Sequence, residues 1–174
     1  MDLFLKIDGI AGESTDKAHR GELDASAFSW GEHVQVVPTG GAGGGAGVGK
    51  VTIGDLQVVL PTSLASPLLM VSCASGRHHA TAKLTVRRDG KVEDLLVIKL
   101  QDVMITSYRA GVNESDTIAT DQISLAFQKI EMTVTSIGPK GGPGQSVRAG
   151  WDVDANVPTT APIVATPRGR GRSR

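Results

Sequence analysis

The stretch that decides the fold is "VEDLLVIKLQDVMITSY", residues 92–108. Its alternation is that of an extended strand: Leu96, Ile98, Leu100 and Met104 share one parity, and Leu95, Val97, Val103 and Ile105 share the other. A strand apolar on both faces has to be covered on both, by the domain core on one side and by a helix or a second subunit on the other.

Working outward, the same period of two recurs on either side. Upstream, "AKLTVRR" sets Leu84 and Val86 inward with Lys83, Thr85 and Arg87 outward, and Asp89-Gly90 then gives a hairpin turn into the long strand. At the N-terminus "LFLKI" aligns Leu3, Leu5 and Ile7. Downstream, "QISLAFQKIEMTVTSI" is apolar at Ile123, Leu125 and Phe127 and then at Ile130, Met132 and Val134. That slip of parity near Gln128-Lys129 predicts a bulge or a bend at a barrel corner. One segment reads as a helix, residues 66–76, "SPLLMVSCASG", with Ser66 as N-cap, Pro67 in the first turn and Gly76 as the C-terminal cap. The pattern therefore predicts a β-rich domain of seven to nine strands with a single helix, closed or nearly closed as a barrel. "GPKGGPGQSVRAG" reads as loop and "WDVDANV" as a short edge element anchored by Trp151. Residues 158–174 read as a disordered tail rich in proline and arginine, leaving 1–157 as the folded domain.

Composition narrows the function. Lys+Arg and Asp+Glu both number 18 in the 174 residues. The terminal "RGRGRSR" holds four arginines; without them 14 basic groups stand against 18 acidic, a net of −4. The body thus offers no nucleic-acid surface. A single cysteine, Cys73 on the apolar helix, excludes an intrachain disulfide and fits a reducing compartment and a buried, unreactive thiol. "MDLFLKIDG" lacks the pattern of a signal peptide, and no run is long enough for a membrane span, so the reading is a cytoplasmic protein without membrane insertion.

No catalytic, cofactor or metal site is predicted. The run "TGGAGGGAGVGK", residues 39–50, approaches a phosphate-binding loop, but Val51 stands where the pattern needs a hydroxyl, and "VTIGDLQVVLP" reads as a strand where it needs a helix. A long hairpin loop is the better reading. His78 and His79 are adjacent and point apart, as solvated residues after the helix. Glu13, Asp16, Glu22 and Asp24 form an acidic patch read as solvated, with a cation or a neighbour's Lys or Arg as alternatives.

Residues 4–31 carry a more specific signal. Phe4 to Ile7, Gly12-Glu13-Ser14, Asp16 with His19, Glu22-Leu23-Asp24 and Phe28-Ser29-Trp30-Gly31 follow one another in a combination that resembles the Hcp (haemolysin-coregulated) family, the tube proteins of type VI secretion systems. The resemblance continues through the glycine loop and the helix to "AGWDVDANV", ending at Val157. It implies a small β-barrel of two antiparallel sheets flanked by one α-helix. It also implies a homo-hexameric ring, stacking of rings into a tube, sheath and spike partners, effectors held in the lumen, and secretion without a cleaved signal peptide. A ring that only carries effectors and a phage-type tail tube are the alternatives. In the family the long loop projects and helps rings touch, which gives Gly40, Gly41, Gly43, Gly44, Gly45 and Gly47 a stacking role; Ser29 matches a position that faces the lumen. Ala25 and Ser26 depart from the family's larger apolar residues, and the arginine-rich tail is outside its pattern.

Overall fold

The structure is a computed structural model that describes residues 1–37, 47–88, 93–112, 118–138 and 142–165, with the side chains of 35–37, 47–50 and 161–165 left out. In chain order the elements are β1 (Asp2–Ile7), β2 (Leu23–Ala25), β3 (Ala27–Ser29), β4 (Glu32–Val37), β5 (Gly47–Ile53), β6 (Leu56–Pro61), α1 (Ser66–Ser75), β7 (His78–Arg87), β8 (Asp94–Gly111), β9 (Thr120–Ile137), β10 (Pro143–Asp152) and β11 (Val157–Ala165). Every strand pairing is antiparallel.

The barrel closes through one short stretch. β1 pairs with β7, β7 with β8, β8 with β9 and β9 with β6. β6 then pairs with β3, and β2 returns to β1. Ser26 sits at the handover, its amide donating to the Val59 carbonyl. A small, exposed residue suits that crossing, which accounts for the departure at Ser26. Leu5, Leu56, Leu84, Ile98, Leu100, Val103, Ile105 and Leu125 fill the interior, all at most 1% exposed.

The parity slip is present, and of the bulge or bend expected near Gln128-Lys129 it is the bend that occurs. Burial changes parity in three neighbouring strands at once: from His79 to Ala82 and Leu84 in β7, from Ile98 and Leu100 to Val103 and Ile105 in β8, and from Leu125 to Ile130 in β9. The β8–β9 ladder keeps its register across this point, with Gln101 opposite Lys129 and Val103 opposite Phe127. Between them Asp102 takes a left-handed φ of 51°, turning the strand to its other face without adding a residue. The register shift in β8 lies further on, between Ile105 and Ser107. The two apolar parities of residues 92–108 therefore serve largely one core, before and after the turn at Asp102.

Two predicted non-strand segments are strands. Residues 143–150 belong to β10, and residues 158–165, expected to begin the tail, join Val157 in the edge strand β11 on β10. β10 pairs with the second half of β9, so β9, β10 and β11 make a wing that extends the sheet past the barrel. Backbone pairing explains what side-chain composition concealed: proline is tolerated at a sheet edge, where its missing N–H is not needed. β4 and β5 form a separate two-stranded sheet. Val51 pairs with Val34 inside it, so a strand stands where a phosphate loop would continue into a helix. Of the predicted stacking glycines, Gly47 opens β5, while Gly40, Gly41, Gly43, Gly44 and Gly45 lie outside the described residues.

Helix α1 ends at Gly76 as predicted, with φ 62°. Its start differs. Ala65 is the cap residue, and Ser66 lies inside the helix with its hydroxyl donating to Asp121.

Candidate functional site: a clip, a polar face and two apolar patches

The motif residues of the first 31 positions build a clip over the outside of the barrel. Gly12 and Ser14 donate backbone hydrogen bonds to the carbonyls of Gly21 and Glu22, folding the segment back on itself. A Cβ on Gly12 would lie 2.2 Å from the Glu22 carbonyl oxygen, so only glycine fits. Glu13 accepts from the Leu64 amide at 2.9 Å and ties the clip to the helix lead-in. Asp16 accepts from the amides of Ala18 and His19 and pairs with Arg87, which also reaches Asp2 at 3.3 Å. The Arg87 guanidinium, with the Ala18 amide second, holds the Asp16 carboxyl well below the usual carboxylate range; Arg87 is in turn raised, chiefly by Asp16. His19 stacks on Phe4 with centroids 4.1 Å apart, donates to Glu22 at 2.9 Å and has its other nitrogen 3.5 Å from Asp94. Lys83 completes the set at 3.1 Å from Glu22.

The solvated acidic patch is thereby corrected: Glu13, Asp16 and Glu22 are bound into the clip, and Asp24 is exposed. Thr85 and Arg87 point outward as read, and are buried because the clip covers the face they point to. His79 is likewise buried, its Nδ1–H donating to the Asp8 carbonyl at 2.7 Å and its Nε2 meeting the Ser72 hydroxyl at 2.6 Å. His78 is exposed and donates to Asp102 at 2.8 Å. Cys73 is half-buried. Across the barrel, buried Asp121 accepts from Thr62, Ser66 and Tyr108, fixing the start of α1. Burial, with the Asp121 charge second, raises the Tyr108 hydroxyl.

Ser29 lies on the polar outer face of β3–β6–β9–β8. Pairing aligns Ser29 with Gln57, Gln57 with Ser124 and Ser124 with Ser107, a row of hydroxyls and amides across four strands. Gln122 and Arg109 flank it in the next row. No sequence pattern shows this row, because its members lie up to 95 residues from Ser29 in Ser124 and meet only through register.

Two apolar patches remain uncovered. One is α1 and its lead-in, where Leu64, Leu68, Met70 and Val71 are 80%, 52%, 49% and 57% exposed. The other is the wing, where the core rows run on past the barrel: Val86, Leu96, Val134 and Val147 pair in sequence, and Val134 and Val147 are half exposed. Ile137 and Val157 are also exposed, on the opposite face of the wing by register. Among the described residues, six of the twelve exposed large hydrophobics fall in these two patches. None of the described helices is long and apolar enough to cross a membrane.

Comparison with known proteins agrees with this architecture. The family model described as "Type VI secretion system effector, Hcp" matches residues 4–134. The chain is 34% identical over 160 residues to Protein hcp1 of Pseudomonas aeruginosa, an alignment covering 90% of this chain and 98% of the relative. Among solved structures, Hcp1 from Salmonella typhimurium superposes with a TM-score of 0.72 at 29% identity, covering 90% of this chain and 97% of that one. A type six secretion system protein superposes at 0.84 with 23% identity, covering 91% and 99%. The chain belongs to the Hcp family, the tube proteins of type VI secretion.

Proposed function

We propose that six copies of this chain close into a ring, that rings stack into the inner tube of a type VI apparatus, and that the tube is expelled with effectors in its lumen. The observation that carries the reading is the pair of unlike apolar patches. A closed ring uses a heterologous interface, in which one surface of a subunit meets a different surface of the next. Here α1 of one copy covers the wing of its neighbour. The helix patch offers four large, partly exposed side chains and the wing Val134 and Val147, and a polar rim supplies the remainder of the ~800 Å² per partner of a standard interface.

The other surfaces take roles within that ring. The polar face around Ser29, Gln57, Ser124 and Ser107 lines the lumen, where neutral hydroxyls and amides bind cargo without committing to one charge. The β4–β5 hairpin stands apart from the barrel sheet and carries the glycine loop to the next ring. The subunit is made in the cytoplasm and leaves through the apparatus itself, without a cleaved signal peptide; its work is structural and not enzymatic. Sheath and spike proteins are its partners outside the ring. Electron microscopy of the purified protein tests stacking. Shortening residues 40–45 should leave single rings and abolish stacks; stacks of unchanged length would remove the hairpin from this role.

A further inference from the structure

The end of the sheet from which the C-terminus leaves carries a groove of about 200 Å³. Leu95, Ile137 and Pro143 line it, and Arg88, Glu93 and Asp94 stand on its rim, two carboxylates against one guanidinium. β11 runs toward this end: Ala165 pairs with Ser146, and Ser146 pairs with Thr135, which also lines the groove. Nine residues follow Ala165, "TPRGRGRSR", with arginines at 168, 170, 172 and 174.

We propose that this groove is the docking site of the chain's own C-terminal segment, with Arg168 and Arg170 laid along it and their guanidinium groups at Glu93 and Asp94. Reach supports the assignment. Two strand spacings separate Ala165 from Thr135, about 10 Å, and one more brings the neighbouring strand that carries Leu95. A chain covers at most ~3.5 Å per residue, so Arg168 is the first arginine to reach the near wall and Arg170 the first to reach the acidic rim. Chemistry supports it too. An arginine buries its apolar stem on an apolar floor and keeps its planar head for a carboxylate, which is the layout of floor and rim here. The tail carries +4 against a body of −4, so the body's field favours a return of the tail over its release. This inference does not depend on ring closure, since the groove and the tail belong to one subunit.

Cross-linking in the full chain tests it. With Cys73→Ser as background, Gly169→Cys is combined with Ser136→Cys at the groove, or with Gln57→Cys near the far end of β9 as control. The groove pair should form an intrachain disulfide at least ten times faster than the control pair. Glu93→Lys, or 0.5 M salt, where the screening length is ~4 Å, should remove most of that advantage. Equal rates for the two pairs, disulfides only between chains, or a groove rate indifferent to both Glu93→Lys and salt would each overturn the assignment. Native mass spectrometry of the same samples reports ring formation separately.

Discussion

The clip and the wing are two ends of one sheet with opposite fates. Over β1, β7 and the start of β8, the outer face is sealed by the chain's own residues 9–22, and the polar groups under the seal find partners within the subunit. Over β9, β10 and β11, the rows of the barrel core continue with none of the described residues of the same subunit laid on them, and Val134 and Val147 stay half exposed. The difference separates two kinds of constraint. Substitutions in the clip act on folding, and substitutions in the wing act on assembly.

The largest effect that would sharpen this contrast is expected at Gly12. Gly12→Val forces a side chain into the Glu22 carbonyl, where backbone cannot yield cheaply. The expected cost is about 3–5 kcal/mol, the range of severe single substitutions. For a domain of this size that is ~10–15 °C in Tm by thermal unfolding. A Tm within ~2 °C of the parent would show that the clip is an ornament on an independent barrel.

Next in size is a pair of truncations on the wing side. Ending the chain after Pro158 removes nearly all of β11 and bares the edge of β10; a fall of ~5 °C is expected, with aggregation, because an unpaired edge is a template for other chains. Ending it after Ala165 keeps the edge strand and should move Tm by no more than ~1–2 °C. Equal effects of the two cuts would mean that β11 contributes nothing to the wing.

The smallest effect is in acid. The Asp16 carboxyl is depressed from its usual value of 3.8 by Arg87, so the folded state binds this proton less readily than the unfolded chain. Its contribution is complete above pH ~4 and is lost as pH falls from there toward the depressed value. Arg87→Met removes the main cause, so its Tm should be lower at pH 7 and should fall less steeply between pH 4 and 2.5. Parallel acid profiles for the two proteins would place the acid sensitivity of the fold elsewhere.

These same regions show how far the sequence could be read. Period-two patterning located β1, β7, β8 and β9, because each alternates against a solid core. It set Thr85 and Arg87 on the outer face but left their burial unread, since alternation says which residues share a face and is silent on whether a distant segment returns to cover it. The clip was visible only as a motif, and the pairing of Asp16 with Arg87, 71 positions apart, has no local signature. β10 and β11 were missed for the opposite reason: glycine and proline suppress the strand signal, while the ladder to β9 is formed by backbone groups that every sequence carries. Ser29 was marked through its family motif, and the polar row that gives it a setting follows from register alone.

Native mass spectrometry of two complementary variants tests the assembly claim most directly. Leu68→Asp spoils the helix patch and leaves the wing; Val147→Asp spoils the wing and leaves the helix. The parent should be a closed hexamer and each variant alone a monomer with nearly unchanged Tm, since both side chains already face solvent in the single subunit. Mixed, the two variants should form a 1:1 dimer and nothing larger, because the mixture offers one intact helix and one intact wing. A monomeric parent, variants that still close into hexamers, or a mixture that stays monomeric would contradict a ring held by helix on wing.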